Sequence, residues 1–438
     1  MLSLARRLES GGALSCNGVN SAAQPFFAVL LRQLFPTRPI VVVTDTLKTQ
    51  ESFHQDIATW LTSKFGVHGP ESTVRSPQSE AAPSSLLFYP AWEILPHEGK
   101  LPPAADVISD RLETLLALGK TPEAGRRKPE LVVTNVTALL QKTFPPDALK
   151  VRTRALARGD RANPLDLVEW LEEQGYEPEA QVTQKGDIAM RGGIVDVFPP
   201  TSPWPVRLEF FGDELESLRE FDPVTQVSRG EIPNVVLSPA GELGILKKVS
   251  DARCQVSGDG RPENLTPATP HLAPLLAHLS PETIFLFCEP ELLAIRADEY
   301  GAQIPSDDPY YIAWNLFCAD ITARGMTCIE VTGEGDTTDA TMFASLDAFR
   351  PIAERAPELQ VAEAQRKEFF EQIHRWLRQN YAVHVFCNNE GERERFNEVW
   401  AESVGSPQSG VRRERATRDF ALRTLDGRRF TGSRFHLR

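Results

Sequence analysis

A chain of 438 residues, 41% hydrophobic and 24% charged, has the make-up of a globular protein with room for roughly two to four domains. Its formal charge of −13 argues against a general nucleic-acid binder, and no apolar run approaches the length needed to span a bilayer. Six cysteines, Cys16, Cys254, Cys288, Cys318, Cys328 and Cys387, lack metal-type spacing and read as reduced thiols, and the start MLSLARRLES has no leader pattern. A cytoplasmic protein is expected.

In chain order, Ala13–Ala23 (ALSCNGVNSAA) precedes a helix-like apolar run, Pro25–Leu34, and then a β-branched run, Pro39–Asp45, suited to a buried parallel strand. Strand, loop, helix, strand is the opening of a P-loop-type α/β domain. The loop is not GxxxxGK[ST]: it holds one glycine and no lysine follows, so a triphosphate has little to grip. This predicts a degenerate, non-hydrolysing site and no cofactor. Ala58–Lys64 reads as a helix end, and Gly66–Pro83, rich in Ser and Pro, as a surface loop. Leu86–Pro96 (LLFYPAWEILP) reads as a strand ended by prolines, and Ala104–Leu118 as a helix with Val107, Leu112, Leu115 and Leu116 on its apolar stripe. Asp106, Asp110 and Glu113 on that helix read as a solvated face rather than an active site. Leu131–Thr134 is a strand and Val136–Leu140 a helix, closing a first half over residues 1–150.

A new unit, 151–234, follows. Asn163–Gln174 has an Asn cap and Pro at the first helical position. Ile194–Phe198 and Val206–Phe211 flank the Pro/Ser-rich stretch Pro199–Pro205 and read as a β-hairpin. In the second strand Val206, Leu208 and Phe210 share one face, and Arg207, Glu209 and Phe211 the other. Phe211 thus sits among charges, either covering a second, minor core or standing exposed as part of a contact patch. Arg191 precedes a Gly192-Gly193 pair expected to kink or bulge its strand. Arginine beside an exposed aromatic is the composition favoured at interaction hot spots.

Val235–Leu246 reads as a return strand, Gly258–Pro270 as loop, Thr283–Cys288 as another buried strand and Pro290–Tyr300 as a helix, giving a second α/β half over 235–302. A further small α/β domain is expected over 303–404, with a strand at Met326–Val331, helices at Glu363–Gln379 and Glu390–Glu402, and a strand at Ala382–Cys387. Phe369, Phe370, Ile373, Trp376 and Leu377 fall at helical spacing and read as core, with His374 structural. Residues 405–438 carry nine arginines against three acidic residues, a local +6, and read as a solvated, disordered tail. No HExxH, GxSxG or paired CxxC occurs, so no catalytic residue and no metal site is expected.

The run from Gly186 to Gln226 (GDIAMRGGIVDVFPP…PVRLEFFGDELESLREFDPVTQ) closely resembles the domain of bacterial transcription-repair coupling factors that binds the excision-repair protein UvrA. The damage-verifying protein UvrB has a similar module. Trp92-Glu93 before a proline, and Ser109-x-Arg111-Leu112 ahead of an apolar helix, extend the likeness. Residue by residue, the family's UvrA-contacting positions fall on Arg191, Arg207 and Phe211, each of the residue type the family uses. Coupling factors also carry a degenerate loop near the start, whereas UvrB carries an intact one and a long DNA-inserting hairpin not found here. The resemblance implies a UvrB-like α/β domain interrupted by a small α+β UvrA-binding domain. It implies a non-enzymatic recruitment module with UvrA as partner, no cofactor, and RNA polymerase reached only through domains expected to be missing from this chain. A UvrB-like damage-verifying ATPase and an inert truncated coupling factor are the alternatives.

Overall fold

The structure, a computed structural model, describes residues 13–62, 86–98, 103–119, 130–247, 272–333, 359–379, 381, 383–387, 389–404 and 420–423. The chain divides into two compact units. The first takes Met1–Ser15, Leu34–Gln50 and Ser85–Val331; the second takes Cys16–Gln33, Glu51–Ser84 and Thr332–Arg438.

The first unit begins with β1 (Ala13–Asn17), β2 (Ile40–Thr44), β3 (Leu86–Tyr89) and β4 (Leu131–Asn135). Ile40, Val41, Val42 and Val43 are all fully buried, as a strand covered on both faces requires. The helix Ala105–Gly119 lays Val107, Ile108, Leu112, Leu115 and Leu118 into the core. Asn135 closes β4 and caps the helix Val136–Leu140, its Oδ1 accepting the Ala138 amide at 2.9 Å.

After the helix Pro146–Val151 the chain builds an inserted α+β arrangement. It comprises β5 (Arg154–Ala157), the helix Pro164–Glu173, β6 (Glu177–Pro178), β7 (Asp187–Arg191), β8 (Ile194–Val197), β9 (Val206–Phe211), β10 (Glu214–Phe221), β11 (Ser228–Glu231) and β12 (Asn234–Leu237). Six of these strands form one sheet in the order β11-β10-β9-β8-β7-β6, while β12 pairs with β5. Asn163 caps the helix, accepting the Leu165 amide at 2.9 Å, with Pro164 opening the first turn. Leu167 and Leu171 from that helix pack on Ile188, Val195, Val197, Val206, Leu208, Leu215 and Leu218.

The chain returns through β13 (Ile284–Cys288), the helices Pro290–Gly301 and Trp314–Ala323, and β14 (Thr327–Thr332). These complete a second six-stranded sheet in the order β1-β14-β13-β2-β4-β3. The pairs β14/β13, β13/β2, β2/β4 and β4/β3 are parallel. The strand expected at Met326–Val331 to lie in a separate domain from 303 instead pairs with β13, which carries the first unit to Val331. Phe317 and Ile321 anchor the preceding helix in the same core, so the boundary drawn from sequence cuts through packed elements.

One polar cluster lies inside this core. Arg111 is fully buried between the rings of Tyr89 and Trp92, its guanidinium carbon 4.3 and 4.5 Å from their centroids. Glu242, five residues past β12, accepts Arg111 Nε at 2.7 Å and Nη2 at 3.0 Å, and also Trp92 Nε1 at 2.9 Å and Thr143 Oγ1 at 2.5 Å. Four donors satisfy the carboxylate, the condition under which a buried ion pair is tolerable. The cluster ties the exit of the inserted arrangement to the helix Ala105–Gly119.

The second unit holds most of the helices Gln24–Leu34 and Leu47–Thr62, the helix Leu359–Arg378, β15 (Val383–Phe386), the helix Glu390–Val404 and β16 (Phe420–Arg423). Phe370, Ile373 and Trp400 form its buried cluster, with Phe369, Trp376 and Leu377 against it. His374 is buried and stacked on Trp400, ring centroids 4.7 Å apart. Within the tail read as disordered, Phe420–Arg423 pairs parallel with β15; alternating Phe420 and Leu422 give that stretch a strand period. The rest of the tail after Val404, and the loops expected at 66–83 and 258–270, lie outside the described residues. Among the described residues no helix is long and apolar enough to cross a membrane, and no cluster of His, Cys, Asp or Glu is arranged to hold a metal.

Candidate protein-binding face of the inserted sheet

The expected hairpin forms: β8 and β9 pair antiparallel with Val197 opposite Val206 and Ile194 opposite Glu209. Gly192-Gly193 does not bulge one strand. It is the two-residue turn of a second hairpin, with Arg191 opposite Ile194. Gly192 has φ +63°, and a Cβ on Gly193 would come within 2.7 Å of the Phe210 carbonyl, so both glycines are needed for β7, β8 and β9 to close up. Between β9 and β10, Gly212 at φ +61° opens another two-residue turn, leaving Phe211 opposite Glu214.

This register sorts the strands into two faces. Val206 and Leu208 point into the main core and Phe210 packs at its margin. The opposite face carries a second, minor core made by Val182, Ala189, Phe198 and Phe221. Phe211 is not part of it. The residue is 76% exposed at the tip of the sheet, on a depression of about 390 Å3 that it lines with Arg161, Ala162, Asn163, Asp213 and Glu214. An aromatic ring left this open does nothing for the core, so the structure removes the core reading of Phe211.

The structure brings Arg191 and Arg207 together around a third residue, Asp196. Arg207 stands opposite Asp196 across β8 and β9 and donates to it with both Nε, at 2.7 Å, and Nη2, at 2.8 Å. Arg191 Nη2 lies 3.9 Å from the same carboxylate. The Arg207 guanidinium also covers the Phe221 ring at 4.8 Å. Its bonds to Asp196 hold its proton more tightly than usual. The side chain of Arg191 is 59% exposed and that of Arg207 only 20%. Beside them Glu209 accepts Ser217 Oγ at 2.6 Å and Arg219 Nη2 at 3.0 Å, extending the charged ladder onto β10.

Phe211 lies four residues along β9 from Arg207, about 13 Å for an extended strand. The face therefore offers one open arginine, one pinned arginine and one open aromatic side chain. Sequence reasoning missed Asp196 and Arg219. The only signal for Asp196 was its place opposite Arg207, which needs the hairpin register before it can be read.

The family described as the UvrB interaction domain matches residues 155–243, which contain this whole face. Transcription-repair-coupling factors are similar to the chain: that of Haemophilus influenzae is 34% identical over 165 residues, 38% of this chain and 14% of the relative. The Myxococcus xanthus protein is 30% identical over 236 residues, 54% of this chain and 18% of the relative, and that of Escherichia coli 36% identical over 152 residues, 35% and 13%. The matched stretch spans less than a fifth of the length of each of these relatives. Over residues 155–243 the chain thus resembles the UvrB interaction domain, and over 35–54% of its length it is similar to transcription-repair-coupling factors.

Proposed function

We propose that this chain recruits the nucleotide-excision-repair protein UvrA, docking it on the outward face of the inserted sheet through Arg191, Arg207 and Phe211. The observation that carries the reading is Phe211, 76% exposed at the end of β9 on the face that also bears Arg191 and Arg207, within the span matched by the UvrB interaction domain. Arg191 and Arg207 meet carboxylates or carbonyls of UvrA, and the Phe211 ring fills an apolar recess. The role is recruitment in the cytoplasm for transcription-coupled repair, rather than catalysis.

The domain plan that goes with this role has an inserted UvrA-binding domain over 151–234 between two parts of a P-loop-like frame, 1–150 and a second part that runs from 235 to Val331 rather than ending at 302. That frame is read as holding no nucleotide. Against the spacing GxxxxGK[ST], which starts at Gly18, Ala23 replaces the second glycine, Gln24 the lysine and Pro25 the hydroxyl residue. The amides that would cradle a phosphate are also occupied: Val19 donates to the Thr332 carbonyl at 3.0 Å, and Ala23 to the Asn20 carbonyl at 2.9 Å. Gln24 Nε2 donates to the Val19 carbonyl at 3.1 Å. With a net charge of −13, strong direct binding of the chain to nucleic acid is not expected.

Competition tests the reading. The immobilised chain should retain purified UvrA, and UvrB, with its similar module, should displace it. UvrA that is retained equally in the presence of excess UvrB would place the contact elsewhere.

A further inference from the structure

Asp196 is almost wholly buried, its side chain 3% exposed, yet it sits between the two arginines proposed for docking. Arg207 reaches it with a fork in which Nε meets Oδ1 and Nη2 meets Oδ2. The Phe221 ring covers the same guanidinium from its face. Arg207 is therefore fixed by an in-plane carboxylate and by an aromatic ring. The pairing uses two of its five N–H groups and leaves three for an outside acceptor.

We propose that Asp196 is a positioning residue for docking: it does not touch UvrA but holds Arg207 in the orientation in which those remaining N–H groups meet an acceptor on the partner. The inference rests on the docking reading and deepens it. Two physical effects follow. A free arginine loses much rotamer freedom when a complex forms, and the Asp196 fork has already removed that freedom in the unbound chain. The fork also cancels the carboxylate's charge. Without Arg207, Asp196 would stand as an uncovered anion in the middle of a patch built to receive acceptors, repelling them. The partner surface that fits is thus acceptor-rich, with its carboxylate or carbonyl facing Arg207.

The test is a double-mutant cycle on the full chain, with affinity for purified UvrA measured for the parent, Asp196→Asn, Arg207→Ala and the double variant. Asp196→Asn should weaken binding about three- to tenfold, the size expected for re-ordering one long side chain. In the Arg207→Ala background the same change should cost nothing or restore part of the lost affinity. A merely structural role would weaken binding in both backgrounds. Thermal melts define a temperature at which all four variants are folded. Arg207→Lys, which keeps the charge but not the fork, gives an independent reading and should also bind several-fold more weakly. The proposal is overturned if Asp196→Asn binds as the parent does, if it costs the same with and without Arg207, or if Arg207→Lys is silent. A parent that binds UvrA through Phe211 while Asp196→Asn is silent overturns this inference alone. A parent that does not bind UvrA overturns it together with the docking reading.

Discussion

Replacing Phe211 by alanine separates docking from folding. A phenylalanine side chain buries about 150–250 Å2, and with 76% of this residue open to solvent, roughly 150 Å2 is left for a partner. At about 25 cal/mol per Å2, complete burial would contribute close to 4 kcal/mol. Half of that, about 2 kcal/mol, is the threshold of a hot spot and roughly a thirtyfold loss of affinity. The fold should barely register the change. Phe211 belongs to neither buried cluster of the inserted arrangement, and substitutions at such surface sites stay within about 0.5 kcal/mol. The assay is calorimetric titration of UvrA into parent and variant, with thermal melts of both by circular dichroism. An unchanged affinity, or a fall in stability beyond about 2 kcal/mol, would refute the reasoning, the second by showing that the ring supports the core.

Three other predictions follow from groups away from that face. Glu242→Ala leaves Arg111 fully buried and uncompensated, so urea unfolding should show a loss of about 3–5 kcal/mol; less than about 1 kcal/mol would mean the cluster is not the tie described. Asp110 is half-buried, and burial, helped by Glu113, pushes its carboxyl up to about 6 from the ordinary 3.8. Between those values the native state binds more protons than the unfolded one, so this group's contribution to stability falls as pH rises and its penalty is complete above about pH 6. Asp110→Asn should therefore stabilise the chain at about pH 7, by roughly 1 kcal/mol given the solvent screening at this half-open site, and not at about pH 4. A gain of equal size at both pH values would assign the effect to something other than charge. For nucleotide, calorimetry with ATP at physiological concentration should show no binding heat; micromolar affinity would return the loop at Gly18–Gln24 to the class of working phosphate sites.

What could be read in the sequence was local. The period of two in Val206–Phe211 disclosed the faces of β9, but Phe211 among charges left open whether the ring covered a minor core or stood exposed, which the fold alone decides. Asn163 followed by Pro164 disclosed a helix start. What stayed hidden depends on partners far apart in the chain. Arg207 and Asp196 are eleven residues apart and meet only because the turn and loop lengths set the β8/β9 register. Arg111 and Glu242 are 131 residues apart, and no local pattern separates a buried arginine from a solvated one on a helix rich in Asp and Glu. Thr327–Thr332 has the look of a strand from its own residues, but the sheet it joins is decided by β13.

Docking of UvrA on the face that carries Arg191 and Phe211 is the proposal from which the others descend. The most direct measurement is the affinity of purified UvrA for the full chain, for Arg191→Ala, for Phe211→Ala and for Val224→Ala. Val224 is 87% exposed in the turn after β10 and lies outside the proposed patch, so it controls for the loss of any open apolar side chain. Docking there requires saturable binding by the parent, a loss of about tenfold or more for Arg191→Ala and for Phe211→Ala, and parental affinity for Val224→Ala. No binding by the parent, or losses of the same size for all three variants, would contradict it.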